Sequence, residues 1–324
     1  MRIVVLDDYQ DCVRGLAAAT RLAAHEVAVY RYPAPDMETL AVRLATAEVL
    51  VLTRERTAIT AALLARLPQL RMISTAGQLP RNLDLAACNE RGIAVAQSQG
   101  TGAATAELCW TLILASRRHL VAEVESLRAG RWQATLGQQL HGRRLGIWGY
   151  GKVGRQVAQF GLAFGMRVWV WGRESSQAAA MREGVPVAPS RAEFIAESDV
   201  LSLHLRLTPE TISSISAGEL MTMKPDALFV NTARAELLAP DALWLALNAG
   251  RPGYAAIDVF ENEPVMDTIH PLLRHPRVLA TPHIGFVERD NYESFFGLAF
   301  DHILRFAAGE TSHLVNPQAV CQTR

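Results

Sequence analysis

The sequence predicts an α/β protein built from two doubly wound parallel sheets. Three observations predict it. Short apolar runs alternate with helical patterns along nearly all of the 324 residues. A glycine-rich turn joins one of those runs to an amphipathic helix near the middle of the chain. Half of the residues are hydrophobic, enough for sheets that are covered on both faces.

The alternation begins at once. Apolar runs at 3–6, 27–30, 49–52, 72–74 and 93–96 read as strands, and 37–44, 59–64 and 85–89 as helices between them. No phosphate loop occurs here, so residues 1–100 are expected to serve a substrate. Residues 74–77, Ser-Thr-Ala-Gly, follow a strand, and their backbone N–H groups can hold a carboxylate; a plain glycine turn reads equally well. Arg54 and Arg56 also follow a strand, where either can reach an acidic substrate or simply face solvent. Residues 97–102 are polar and glycine-containing and read as a linker. Residues 105–117 form a long, mostly apolar helix that joins the domains or a partner subunit, and 121–141 is polar and mixed.

The chain then reaches RLGIWGYGKVGRQVAQFGLAFGMRVWVWGRE, residues 144–174. Its apolar run 145–148 leads into Gly149, Gly151 and Gly154 in G-x-G-x-x-G spacing. Val153, Val157, Phe160 and Phe164 follow at i, i+4, i+7 and i+11, one face of a helix. Gly165 ends that helix, and 167–171 reads as a second strand. Gly149 allows the tight turn, Gly151 lets backbone approach a pyrophosphate, and Gly154 lets helix and strand pack closely. The helix N-terminus presents unpaired N–H groups to phosphate. A dinucleotide is therefore the expected cofactor. An acid would stand about 20 residues past the glycines to bind ribose hydroxyls; Gly172 and Arg173 are there instead. Glycine leaves room and arginine offers a fork to a 2′-phosphate, so the expectation is NAD(P), with NADP favoured. Glu174, one residue on, keeps the ribose diol open.

Beyond it, Ser190 and Glu193 are spaced as a capping box for a helix at 191–197. Strands are expected at 200–205, 227–231, 254–259 and 278–280, and a helix at 241–248 that Gly250 caps. Residues 101–285 thus form one dinucleotide-binding domain. A final helix at 290–308 returns to the first domain, giving a substrate domain of 1–100 and 286–324.

In an open parallel sheet ligands sit outside the carboxyl ends of the strands. Asn231-Thr232-Ala233-Arg234 follows one late strand, Asp258 and Glu263 the next, and Thr281-Pro282-His283-Ile284-Gly285 the last. That trio of cation, acid and imidazole suits hydride transfer to a 2-oxo acid. Arg234 can bind the carboxylate and polarise the carbonyl. His283 can give a proton to the carbonyl oxygen and take it back in oxidation. Glu263, on the other imidazole nitrogen, would set the tautomer. Asp258 can accept from the nicotinamide carboxamide. His119, His204 and His275 read as structural.

Composition excludes other classes. With 32 basic and 32 acidic residues, neither nucleic acid nor an anionic membrane is an expected partner. Cys12, Cys88, Cys109 and Cys321 lack metal-ligand or redox spacing, so no metal is expected and the thiols read as reduced. Met1 leads directly into the strand-like RIVVL, which predicts a cytoplasmic chain without a signal peptide.

The stretches LGIWGYGKVGRQVA, SDVLSLHLRLTPET, MKPDALFVNTARAELL, AAIDVFENEP and TPHIGF resemble the D-isomer-specific 2-hydroxyacid dehydrogenase family. Weaker matches are STAG…NLDLAACNERGIAV, AELCWTLIL and GETSHLVNP. They span nearly the whole chain in the family's order. The resemblance implies a Rossmann-type cofactor domain, a flavodoxin-like substrate domain built from both chain ends, and a homodimer formed through the cofactor domain. It places Arg234, Glu263 and His283 in the catalytic roles. Lys152, Val153, Thr232, Ala233, Arg234 and Asp258 fall at cofactor contacts, and Ala76 and Gly77 at the substrate-carboxylate loop. Three departures stand out: Gly172-Arg173 replaces the usual acid, Arg206 stands where the family has proline, and Ala235-Glu236 replaces Gly-Gly. Glu263 separates this chain from the formate dehydrogenases of the family. The expected activity is that of a 2-hydroxyacid dehydrogenase, similar to glyoxylate or hydroxypyruvate reductases. The alternatives are a dinucleotide-sensing partner protein of the co-repressor type and a phosphite- or formate-type dehydrogenase.

Overall fold

The computed structural model describes residues 1–321. They form two compact units: Met1–Gly100 together with the chain from Glu288 onward, and Thr101–Val287.

The first unit carries β1 (Arg2–Val5), β2 (Glu26–Val29), β3 (Val49–Thr53), β4 (Met72–Ala76) and β5 (Ala94–Gln97). All pairs are parallel, in the order β2-β1-β3-β4-β5, which is the flavodoxin-like arrangement. Every residue of β3 and β4 is buried. Those strands therefore read as unbroken apolar runs, without the alternation of a half-exposed sheet. The helices α1 (Met37–Leu44), α2 (Ala61–Leu64) and α3 (Leu85–Glu90) each start at a side-chain cap: Asp36 accepts from Thr39 N, Thr60 from Leu63 N and Asp84 from Ala87 N. Such caps satisfy amides that the helix itself leaves open.

In the second unit α4 (Ala103–Arg117) and α5 (Leu120–Arg128) precede β6 (Arg144–Trp148), α6 (Lys152–Ala163), β7 (Arg167–Trp171) and α7 (Glu174–Arg182). Then come α8 (Arg191–Glu197), β8 (Val200–Leu203), α9 (Ala217–Leu220), β9 (Leu228–Asn231), α10 (Ala242–Asn248), β10 (Tyr254–Ile257), α11 (Pro271–Arg274) and β11 (Val278–Ala280). The sheet runs β11-β10-β9-β8-β6-β7. Val187 adds an isolated parallel bridge to Val170 on the outer side of β7. That bridge stands where a doubly wound dinucleotide fold has its third strand, so the order is of Rossmann type with one strand reduced to a single pair. The reversal of strand order falls between β6 and β8, beside the glycine turn. The chain closes with α12 (Arg289–Ala307) and α13 (Pro317–Cys321) in the first unit. There Phe296, Phe300 and Ile303 of α12 are buried, and Ser74 Oγ of β4 donates to Ala299 O at 2.9 Å.

Five helices were not expected from the sequence. The stretch 121–141 contains α5, and α7, α9, α11 and α13 lie in segments where no helix was expected. Cys88 and Cys109 are buried free thiols and Cys12 is half-buried; the Cys321 side chain lies outside the described residues. Among the described residues no helix is long and apolar enough to cross a membrane.

Candidate active site

The three glycines divide the work as their spacing implies. Gly149 has φ +98°, and a Cβ there would lie 2.8 Å from His204 O, so the turn off β6 demands glycine on both counts. A Cβ on Gly154 would meet Gly149 O at 2.1 Å, so helix and turn close on each other. Gly151, the N-cap of α6, has nothing within 4 Å of where its Cβ would be. Its bare backbone faces open space beside a helix N-terminus that has no side-chain cap. That is the cradle a pyrophosphate fits. Lys152 and Val153 open the helix; Val153 is half-buried against Gly102.

At the adenosine end, Gly149 N donates to Trp171 O at 2.7 Å, which ties the turn to the end of β7. Arg173 is the N-cap of α7 and is exposed, as is Glu174. A Cβ on Gly172 would lie 3.3 Å from Ser176 Cβ and 3.6 Å from Gly149 Cα. Glycine at the position of the missing acid therefore avoids crowding Ser176. Arg206 is exposed, and its carbonyl accepts from Thr211 Oγ1.

The carboxyl ends of β9, β10 and β11 are neighbours in the sheet. At β9, buried Asn231 shapes the turn that follows. Its Oδ1 accepts from Ala233 N at 3.0 Å and its Nδ2 donates to Arg234 O at 2.9 Å. Thr232 is buried, and half-buried Arg234 donates from Nη1 to Ala233 O at 2.7 Å. Ala235-Glu236 enters a short 3-10 turn over Ala235–Leu237 with Ala235 buried, so the side chains that replace Gly-Gly are accommodated without a left-handed residue.

At β11 the backbone of His283 takes φ +51°, a left-handed conformation unusual outside glycine. Its Nδ1 lies 2.5 Å from Glu263 Oε2, while Glu263 Oε1 accepts from Phe260 N at 2.9 Å. The Phe286 ring meets the imidazole edge-on, with centroids 5.6 Å apart. Asp258, at the end of β10, is fully buried. Its Oδ1 accepts from Thr281 Oγ1 at 2.6 Å and Ile284 N at 2.8 Å, and its Oδ2 from Gly285 N at 2.8 Å. Both oxygens thus hold the loop that carries His283. Burial, the dominant effect, raises the Asp258 carboxyl above its usual range against those hydrogen bonds. A Cβ on Gly285 would stand 3.0 Å from Asp258 Oδ2, which explains the glycine of the TPHIG stretch.

Glu263 and His283, read from the sequence as a pair, are in contact, and Arg234 lies on the same sheet edge. Ala76 and Gly77 belong to the other unit, at the end of β4. Gly77 has φ +127°, and a Cβ on it would lie 2.7 Å from Arg54 Cδ. The Arg54 side chain therefore lies across this loop. Arg56 points elsewhere: it donates to Asp7 O at 2.5 Å and to Tyr292 OH at 3.3 Å, and stacks 4.3 Å over the Tyr9 ring. It braces the first unit. His204 contacts Ser202 Oγ through Nε2 at 2.9 Å, and Ser202 Oγ lies 3.2 Å from Cys109 Sγ, behind the site. Sequence reasoning missed the role of Asn231, whose signal was an Asx residue at a strand end. It also missed Tyr150 within the glycine turn, for which glycine spacing has no signal.

Comparison with known proteins identifies the family. The family model described as "D-isomer specific 2-hydroxyacid dehydrogenase, NAD binding domain" matches residues 110–285. The glyoxylate reductase of Aeropyrum pernix is 35% identical over 302 residues, covering 90% of this chain and 89% of that one. The hydroxypyruvate reductase of Thermotoga maritima is 36% identical over 242 residues, covering 74% and 78%. The solved structure of a putative D-3-phosphoglycerate dehydrogenase from Ralstonia solanacearum superposes with a TM-score of 0.96 at 47% identity, covering 98% of each chain. With a Rossmann-type sheet, an open glycine cradle and a histidine–glutamate pair on one sheet edge, the chain belongs to the D-isomer-specific 2-hydroxyacid dehydrogenases, a family of nicotinamide-dinucleotide oxidoreductases.

Proposed function

We propose that this chain reduces small 2-oxo acids to D-2-hydroxy acids, in the manner of glyoxylate and hydroxypyruvate reductases, with NADPH preferred over NADH. The observation that carries the reading is the 2.5 Å contact of His283 with Glu263 on the sheet edge that also bears Arg234. Bound at the glycine cradle, the dinucleotide supplies the hydride in reduction and accepts it in oxidation. His283 donates its proton to the carbonyl oxygen as the hydride reaches carbon, and recovers it in the reverse direction. Glu263 accepts from the other imidazole nitrogen, which orients the ring and fixes its tautomer. Arg234 binds the substrate carboxylate and draws charge onto the carbonyl oxygen. The backbone of Ala76 and Gly77 is assigned to the carboxylate as well, with Arg54 lining that loop. Thr232 and Ala233 are assigned to the nicotinamide end, and Asp258 to the loop that holds His283.

The preference for NADPH rests on Arg173 and Gly172. The reading extends to a cytoplasmic homodimer. On α5, Leu120, Val124 and Leu127 form one exposed stripe, followed by Trp132, 77% exposed, and Leu136, 92% exposed. So much apolar surface on one stretch fits a second copy of the chain.

The test follows nicotinamide absorbance with glyoxylate, hydroxypyruvate and longer 2-oxo acids, with each dinucleotide in turn. Turnover of at least one acid, faster with NADPH, is expected. Tight dinucleotide binding without turnover of any acid would overturn the reading.

A further inference from the structure

The residue between the first two glycines of the turn is anchored. Tyr150 is 4% exposed, and its ring packs in the hydrophobic core of the second unit. Its hydroxyl donates to Glu183 Oε2 at 2.9 Å. Glu183 Oε1 pairs with Arg155 Nη2 at 2.9 Å, and the Arg155 guanidinium lies 5.3 Å from the centre of the Tyr150 ring. The three side chains close a ring of contacts, each touching the other two.

What they join matters. Tyr150 belongs to the phosphate turn, and Arg155 sits in the first turn and a half of α6, whose N-terminus faces the pyrophosphate. Glu183 is the C-cap of α7, whose N-cap is Arg173 at the adenosine ribose. The other end of α7 follows directly on Trp171, whose carbonyl accepts from Gly149 N of the same turn at 2.7 Å. Nine helical residues span about 14 Å, so α7 is a short lever attached to the turn at both ends.

We propose that Tyr150, Glu183 and Arg155 are positioning residues that lock the ribose-recognition helix to the phosphate turn, and so set the affinity for the nicotinamide dinucleotide without acting in hydride transfer. The inference rests on this unit binding a dinucleotide and not on which of the two is preferred. The Arg155–Glu183 pair is half-exposed and contributes little by itself. The buried phenol donating to a carboxylate is the stronger bond. Burial, and then Glu183, push the Tyr150 phenol up to about 12, so it stays a donor throughout the working pH range.

Tyr150→Phe keeps the ring in the core and removes only the hydroxyl, and Glu183→Ala removes its acceptor. Titration of NADPH and NADH against each variant, read by tryptophan fluorescence, should show Kd for the tighter dinucleotide raised about tenfold in both. The kcat at saturating dinucleotide should fall less than twofold. Glu183→Gln, which keeps an acceptor oxygen, should recover most of the affinity. The double variant Tyr150→Phe/Glu183→Ala should bind no worse than Glu183→Ala alone, since both break one connection. Kd within twofold of the parent protein in both single variants, or additive losses in the double variant, would overturn the proposal. A parent protein that binds neither dinucleotide would instead defeat the cofactor reading on which it rests.

Discussion

His283 carries two constraints at once. Its backbone holds a left-handed conformation, and its ring is gripped by Glu263 on one edge and met by Phe286 on another. A residue held this way reaches one orientation, and the surrounding contacts offset the backbone strain. Replacing His283 with Gln should lower kcat by about 100-fold to 10,000-fold, the usual worth of a general acid, while dinucleotide Kd stays within a few-fold; steady-state kinetics beside fluorescence titration checks both. Glu263→Gln should retain the loop and lower kcat while dinucleotide Kd changes little, because the imidazole loses the carboxylate that orients it; the same two assays check it. At the other end of the cofactor cradle, Arg173→Ala should weaken NADPH far more than NADH. Gly172→Asp should favour NADH, because a carboxylate there can accept from the ribose hydroxyls and repels a 2′-phosphate, provided Ser176 yields a few tenths of an ångström to the new Cβ. Equal changes for the two dinucleotides, measured by paired titration, would remove the 2′-phosphate argument. The glycine turn could be read from its spacing, and the contact of Glu263 with His283 from residue type and position after a strand. Tyr150 and Asn231 could not be given roles, because their work is done through partners, Glu183 and the Arg234 carbonyl, that only the fold brings near.

Strands were the most readable elements because parallel strands buried on both faces leave unbroken apolar runs; the fully buried β3 and β9 fall within a residue of where those runs predicted. Helices α5 and α7 escaped for opposite reasons. The sequence of α7, ESSQAAAMR, has too few large apolar residues to show a face, and only Ala179 and Ala180 are buried. In α5 the apolar residues do recur at helical spacing, but they point outward and sit in a stretch whose average character is polar. Past the end of β8, His204 makes a prediction about pH. Burial pushes its imidazole down to about 3 from an ordinary 6.5, so the folded protein needs the ring neutral. The unfolded chain takes up a proton first as pH falls through 6.5. This contribution to stability is therefore complete above that pH and is lost progressively towards the folded value, at a rate of at most about 1.4 kcal/mol per pH unit. His204→Gln should flatten that acid limb, seen as a smaller difference in denaturant midpoint between about pH 7 and about pH 5. An unchanged limb would place its cause elsewhere.

For the molecule as a whole, the exposed stripe on α5 with Trp132 and Leu136 is the feature that one copy of the chain leaves unsatisfied. Sedimentation of the intact protein should give a dimer, and Leu127→Glu with Trp132→Ser should yield monomers that retain dinucleotide binding; a parent protein that sediments as a monomer would remove the dimer from the proposal. Within the first unit, the return of the last helices has a consequence for synthesis. All five of its strands lie within the first hundred residues, yet the helix that buries Phe296, Phe300 and Ile303 is made only after the whole second unit. A nascent chain leaving the ribosome must therefore hold an incompletely covered sheet while some 190 residues of another body emerge and fold. For that interval the early sheet shows bare greasy surface, which is when a chaperone has most to grip.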